Sequence, residues 1–170
     1  MKRWKLPVLL ALFITVAIPV HGEDKAMSTL PVIDIAQTVV KRPLASGVSM
    51  DDAVESMKIR ANKLNIKLVA EMPLSKQLAA MGEKSRRMDI YQFCDPLVAK
   101  KMVDANINFA AYLPCRIAMV EDANGQGWLL MMNLDMFIQN PRFDPKLRSD
   151  AIRIRDILTQ IMDAGATGAW

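Results

Sequence analysis

The chain has 170 residues, with 22 Lys or Arg, 18 Asp or Glu, two cysteines and a single histidine. The histidine, His21, and three of the basic residues fall within the first 22 positions, so the remainder holds 19 basic and 18 acidic residues and no histidine. This composition excludes Ser-His-Asp and Cys-His catalysis and histidine-ligated zinc or haem from the remainder. It also leaves no basic block that would indicate binding to nucleic acid.

Residues 1–22 have the pattern of a cleaved secretory signal peptide. Lys2, Arg3 and Lys5 form a basic start, and an apolar stretch follows over 6–20. That stretch is shorter than the roughly 20 residues that a membrane-spanning helix needs. We predict cleavage after Gly22, a periplasmic or secreted location, no stable membrane anchor and a single domain over 23–170. The alternative is an uncleaved anchor helix.

Hydrophobic periodicity and turn residues predict alternating strands and helices along the rest of the chain. In order, they are a strand at 38–40, a helix capped by Ser49 and closed by Asn65, a strand at 66–72 and a short helix near 75–81. A strand at 88–93 follows, with Asp89, Tyr91 and Phe93 on one side, and then a helix opened by Asp95-Pro96 with a left-handed end at Asn106. Strands 117–121 and 128–134 form a hairpin around Asn124-Gly125, 135–143 is a connection, and a final helix runs from Asp144-Pro145 to Gly165. The predicted fold class is α+β, with a single mixed or antiparallel sheet and helices packed mainly on one face.

The two cysteines lie at the ends of two predicted strands. Cys94 ends the strand at 88–93, and Cys115, in the stiff Leu113-Pro114-Cys115-Arg116 run, leads into the next strand. If these strands are antiparallel neighbours, both thiols lie at the same end of the sheet.

Two short motifs around these cysteines carry a family resemblance. FCDP at 93–96, followed by LPCR at 113–116 and then by a strand, an Asn-Gly turn and another strand, resembles the domain-of-unknown-function 302 family of bacteria and archaea. The resemblance covers roughly 39–162 and implies a compact α+β domain, but it implies very little about activity. Members of that family often have Asn where this chain has Asp95, and either residue caps a helix.

The cysteine pair allows three interpretations. In an exported protein, an even number of cysteines favours a disulfide, here Cys94 with Cys115, which would stabilise the fold by roughly 3 kcal/mol. Two buried free thiols, which act as small hydrophobic side chains, are the second possibility. A redox-active or metal-binding pair is the third, although no Cys-x-x-Cys spacing is present to lower a thiol pKa.

The same region holds the candidate binding residues. Cys94, Tyr112, Cys115 and Arg116 form the predicted ligand site, in which Arg116 would bind an anion or pair with an acid. Aromatic residues near them would line an apolar pocket or pack in the core; they are Tyr91, Phe93, Phe109, Tyr112 and Trp128. We predict no catalytic residue, no metal and no cofactor. A copper site of hairpin methionines is not expected, because Met131 and Met132 alternate between the two faces of a strand.

These patterns favour an exported binding or accessory protein over an enzyme. The first hypothesis is a ligand-binding module whose partner is an unknown small molecule. The second is a thiol-redox or sulfur-handling accessory protein that uses the cysteine pair. The third is a structural partner of another exported protein, which would need an exposed apolar patch.

Overall fold

The structure is a computed structural model that describes residues 33–169. The predicted signal peptide, its cleavage site and the polar residues that follow it at 23–29 lie outside the described residues. Within the described part of the chain, no helix is both long and apolar enough to cross a membrane.

A single antiparallel sheet of five strands organises the fold. The strands are β1 (Val39–Pro43), β2 (Lys67–Met72), β3 (Met88–Cys94), β4 (Cys115–Glu121) and β5 (Gly127–Met132). Their order in the sheet is β1-β5-β4-β3-β2, and each neighbouring pair is antiparallel. The predicted α+β class and the hairpin are confirmed: Asn124-Gly125 lies between β4 and β5, and Gly125 has a φ of 80°, as hairpin turns require.

Five α-helices and two 3₁₀ segments join the strands. The helices are α1 (Met50–Lys63), α2 (Leu74–Ala80), α3 (Pro96–Ala105), α4 (Asp135–Ile138) and α5 (Pro145–Thr167), and the 3₁₀ segments are Ile35–Thr38 and Ile107–Tyr112. The predicted caps form: Ser49, Asp95 and Asp144 each accept a hydrogen bond from a free N–H group of the first turn. Asn65 closes α1 with a φ of 56°.

The helices α1 and α5 pack on one face of the sheet, where the main core lies. Asp89, Tyr91 and Phe93 of β3 share one face, as the sequence predicts, and the structure shows that this face is the one buried against the helices. In β4 the same face carries Ile117 and Met119, which are 0% exposed. Within residues 33–169, no helix packs against the other face of the sheet to match the α1–α5 layer.

Two predicted helix ends are wrong. Helix α5 continues through Gly165 to Thr167, and Gly168, with a φ of 68°, is its C-cap. Gly165 is there because α1 and α5 approach closely: a Cβ at this position would lie 2.6 Å from Met57 Cγ. Asn106 is not a left-handed helix end either, since its φ is −157° and its side chain caps the second 3₁₀ segment.

Candidate functional site: an apolar cavity at the cysteine end of the sheet

The buried side chains form two clusters. The main cluster lies between the sheet and helices α1 and α5, around residues such as Phe93 and Ile117. A smaller cluster joins Ile138, Phe143, Leu147 and Ala151. The two clusters meet at the end of the sheet where β3 ends and β4 begins, and this meeting point is not completely filled.

An apolar cavity of about 80 Å³ lies where the two clusters meet. Its walls come from the strand ends, α3, the Ile107–Tyr112 segment, α4 and α5. Its lining includes Phe93, Cys94, Val98, Ala99, Met102, Phe109, Tyr112, Cys115, Met132, Phe137, Phe143 and Ala151. A single water molecule needs only about 10–15 Å³ of such space, so the cavity is large enough for part of a small apolar molecule.

Both cysteines line this cavity. In the antiparallel pair of β3 and β4, Cys115 lies directly opposite Phe93, and Cys94 is the next residue along β3. The two strand ends therefore meet as the sequence predicts. Both cysteines are free thiols in the structure, so the predicted disulfide is not formed there.

Burial holds both cysteines in the thiol form. It raises the pKa of Cys115 from an ordinary 9.0 to about 11, with a further contribution from the nearby Cys94. Burial also raises the pKa of Cys94, and the neighbouring Asp95 carboxylate adds to the effect. A thiol with a raised pKa is a poor nucleophile at neutral pH. These cysteines therefore resemble apolar lining groups more than reactive ones.

Asp95 fixes the helix that forms one wall of the cavity. Its Oδ1 accepts hydrogen bonds from the backbone N–H groups of Leu97 (3.0 Å) and Val98 (3.2 Å), and its Oδ2 accepts one from Arg153 on α5 at 2.8 Å. The Arg153 contact is the main reason that the pKa of Asp95 lies below its usual value. Helix α3 is thereby joined to α5, and Val98 points into the cavity from its first turn.

Aromatic pairs form the opposite wall. Tyr112 and Phe137 contact each other edge to face, with ring centroids 5.0 Å apart, and Phe109 meets Phe143 in the same way at 5.9 Å. Such pairs favour these offset arrangements. They join the Ile107–Tyr112 segment to α4 and to the loop that precedes α5.

Two arginines of α5 hold α4 and its loop in place. Arg155 binds the Asp135 carboxylate of α4 at 2.6 Å. Arg148 donates to the carbonyl oxygens of Ile138, Asn140 and Phe143 and so satisfies the end of α4. The region 135–143 is predicted only as a connection, because a four-residue helix has too few residues to show a periodic pattern.

The structure brings together three of the four predicted site residues. Cys94, Tyr112 and Cys115 line the cavity, whereas Arg116 is exposed and lies on the uncovered face of the sheet. Of the candidate aromatic residues, Phe93, Phe109 and Tyr112 line the cavity, while Tyr91 and Trp128 do not. Strand alternation could have separated Cys115 from Arg116, because successive residues of a strand face opposite sides.

The lining residues contributed by α4 and by the loops before and after it are not predictable from the sequence. Phe137 and Phe143 have no local signal, because their role depends on contacts with α3 and the Ile107–Tyr112 segment. Across residues 33–169, no group of three His, Cys, Asp or Glu side chains is placed to hold a metal ion. The arrangement offers an apolar enclosure with thiol groups, which suits binding.

The fold and the cavity define a class of protein: an α+β domain with an antiparallel sheet and an apolar cavity between two core clusters. The chain belongs to the family described as "Domain of unknown function DUF302", whose model matches residues 25–165. No curated protein matches the chain. A crystal structure of an uncharacterized conserved DUF302 protein from Bacillus stearothermophilus has a similar fold, with a TM-score of 0.63 and 20% identity over 75% of this chain and 97% of that one.

Proposed function

We propose that the protein is an exported module that binds a small apolar ligand in the cavity beside Cys94 and Cys115. The observation that carries the proposal is the cavity itself, which is lined almost entirely by apolar side chains and lies where two separate clusters meet. Cavities of this kind are few in protein interiors, because cores are close-packed. Ligand sites are typically apolar enclosures with a few polar groups at one end.

The size of the cavity limits the ligand. Its volume of about 80 Å³ is below the roughly 150 Å³ of an apolar cavity that binds benzene. A narrow alkyl group therefore fits better than an aromatic ring. Each methylene buried would contribute about 0.8 kcal/mol, so a few methylenes suffice for weak but measurable binding.

The thiol-redox alternative receives less support. A redox-active cysteine normally has a lowered pKa, since the thiolate is the reactive species, whereas burial raises the pKa of both cysteines. In a binding site, thiols of this kind serve as weakly polar lining groups. Export, to the periplasm or the exterior, is part of the proposal and is supported by the basic and apolar pattern of residues 1–22.

Methionine methyl NMR with 1-octanol as the probe tests the proposal. Met102 and Met132 line the cavity, whereas Met81 is 76% exposed and does not line it. With ¹³C-methyl methionine, 1-octanol should shift the Met102 and Met132 signals in a saturable manner and leave Met81 unchanged. Equal shifts at all three methionines, or none at Met102 and Met132, would contradict the proposal.

A cavity-filling variant supplies the matched control. Ala151 lines the cavity and is buried, so Ala151→Leu should occupy part of the space and weaken 1-octanol binding at least fivefold. Ala111→Leu makes the same change at an exposed position that does not line the cavity, and it should bind as the unmodified protein does. If Ala151→Leu fails to fold, Ala99→Leu fills the same cavity from α3.

A further inference from the structure

A second apolar depression lies next to the cavity, mainly on the face of the sheet opposite α1 and α5, and reaches Leu158 of α5 at one end. We call it the groove. It encloses about 520 Å³ and is lined by side chains from four strands, including Val39, Ile90, Ala118 and Leu130. Met136 of α4, which is 42% exposed, forms part of its border. The groove is thus larger and more open to solvent than the cavity.

One layer of side chains separates the groove from the cavity. Six residues line both spaces: Tyr112, Cys115, Met132, Leu134, Phe137 and Leu158. The edge-to-face pair of Tyr112 and Phe137 belongs to this shared wall, and Tyr112 is 44% exposed. Tyr112 is the one exposed residue among these six, so rotation of its ring against Phe137 is the movement that would connect the two spaces.

The groove has a single charged residue in its lining, Arg116. Its cross-strand partner on β3 is Gln92, which carries no charge. Arg116 forms no ion pair with any acid in the range 33–169, whereas Arg42, Arg87, Arg153 and Arg155 each bind a carboxylate. An apolar surface that carries one uncompensated guanidinium complements a ligand with an alkyl part and one anionic group.

We propose that the ligand is an anionic amphiphile, namely a linear alkyl carboxylate, whose tail enters the cavity past Tyr112 and Phe137 and whose carboxylate binds Arg116 in the groove. This inference rests on the proposed function, because it places the end of the alkyl tail in the same cavity. It adds the charge of the ligand, the residue that recognises that charge and the path between the two spaces.

Octanoate and 1-octanol differ in the head group and share the chain length, so the pair isolates the contribution of charge. Three methionines report on position: Met102 lines only the cavity, Met136 only the groove, and Met132 both. Octanoate should shift all three methyl signals with one common affinity. A shift of Met136 without Met102 would overturn the proposed path of the tail.

Substitution of Arg116 tests recognition of the carboxylate. Arg116→Gln should weaken octanoate binding about threefold to fivefold, as expected for an ion pair at an exposed site, and leave 1-octanol binding unchanged. Arg116→Lys should retain most of the octanoate affinity. Arg86→Gln is the control, because Arg86 is exposed, lies just before β3 at the opposite end of the sheet and is remote from the groove. Raising the salt concentration should weaken octanoate binding alone.

The failures of the two proposals can be told apart. If neither probe binds, the proposed function itself is wrong. If both probes bind equally and Arg116→Gln changes neither affinity, the apolar site stands and the anionic ligand is wrong. A third outcome is a dimer in sedimentation that Arg116→Gln dissociates and that octanoate does not dissociate. In that case the groove is occupied by a second copy of the chain and the inference is overturned.

Discussion

A buried carboxylate anchors the end of the sheet that lies away from the cavity. Asp89 is 4% exposed and accepts hydrogen bonds from Ser75 Oγ and Arg87 Nε, both at 2.9 Å. Arg87 extends the network through its contacts with Asp51 at 2.6 Å and the Tyr91 hydroxyl at 3.4 Å. A buried charge is tolerated only when it is paired and hydrogen-bonded, and here both carboxylate oxygens have a donor.

Replacing Asp89 should therefore be costly. Asp89→Asn removes the charge that Arg87 faces and leaves one amide group opposed to a guanidinium, so the free energy of unfolding should fall by about 2–4 kcal/mol. Asp51 is the matched control, since it binds the same arginine with a side chain that is 88% exposed. Asp51→Asn should cost less than about 1 kcal/mol. Urea unfolding of both variants measures the difference, and equal losses would contradict the role of burial.

Cys115 offers a pH-dependent prediction. With its pKa raised to about 11, Cys115 should react with iodoacetamide at pH 8 about 100-fold more slowly than an ordinary thiol, since two pKa units separate them.

The same raised pKa of Cys115 predicts a loss of stability in alkali. Between pH 9 and 11 the folded protein keeps a proton that the unfolded chain releases, so stability should fall as pH rises. Single variants Cys94→Ala and Cys115→Ala separate the two thiols. Cys115→Ala should reduce this alkaline loss, and an unchanged pH profile would show that Cys115 does not titrate as burial implies.

At the scale of elements, Asp95 combines two stabilising roles that can be separated. It caps the first turn of α3, and it binds Arg153 of α5. Asp95→Ala loses both roles and should reduce the free energy of unfolding by about 1–2 kcal/mol. Asp95→Asn keeps an acceptor for the N–H groups of Leu97 and Val98 and loses only the ion pair, so it should cost less than about 1 kcal/mol at neutral pH.

The pH dependence of these variants provides a second test. Because the pKa of Asp95 is lowered in the folded protein, mainly by Arg153, its stabilising effect is present above the ordinary value of 3.8. It is lost as pH falls through the folded-state pKa. Both variants should therefore lose less stability than the unmodified protein on acidification. A variant with the original acid profile would show that Arg153 does not stabilise the carboxylate.

The elements that sequence analysis predicted well are those with local causes. The Asp95-Pro96 and Asp144-Pro145 helix starts, the Asn124-Gly125 turn and the alternation along β3 all depend on neighbouring residues. The position of Gly165 inside a helix could not be predicted from neighbouring residues, because the glycine is needed for the close contact with Met57 of α1. The short helix α4 and the segment Ile107–Tyr112 have too few residues for a periodic signal.

The candidate site shows the same division between local and long-range causes. The predicted strands place Cys94 and Cys115 at one end of the sheet, and the structure confirms this position. The cavity beside them depends on how α3, α4 and α5 pack, which no short motif records. Arg116 is adjacent to Cys115 in the chain and is therefore predicted to share its site, but the two-residue period of a strand places it on the other face.

At the scale of the whole molecule, the asymmetric covering of the sheet separates stability from binding. The face that carries α1 and α5 holds the main core. The opposite face keeps apolar side chains and Arg116 open to solvent beside the cavity. A tail bound in the cavity and a head group bound in the groove would therefore connect the two faces around the cysteine end of the sheet.

The predicted export of the whole protein is tested by its intact mass. Protein purified from the periplasm or medium should lack residues 1–22 if the basic start and apolar stretch direct secretion and cleavage follows Gly22. Because both cysteines are free in the structure, alkylation of the denatured protein without reductant should add two groups. Ile14→Arg places a charge in the apolar stretch, so that variant should retain its full length inside the cell. A full-length mass for the unmodified protein would contradict cleavage, and a mass two protons light that resists alkylation would show that Cys94 and Cys115 pair after export.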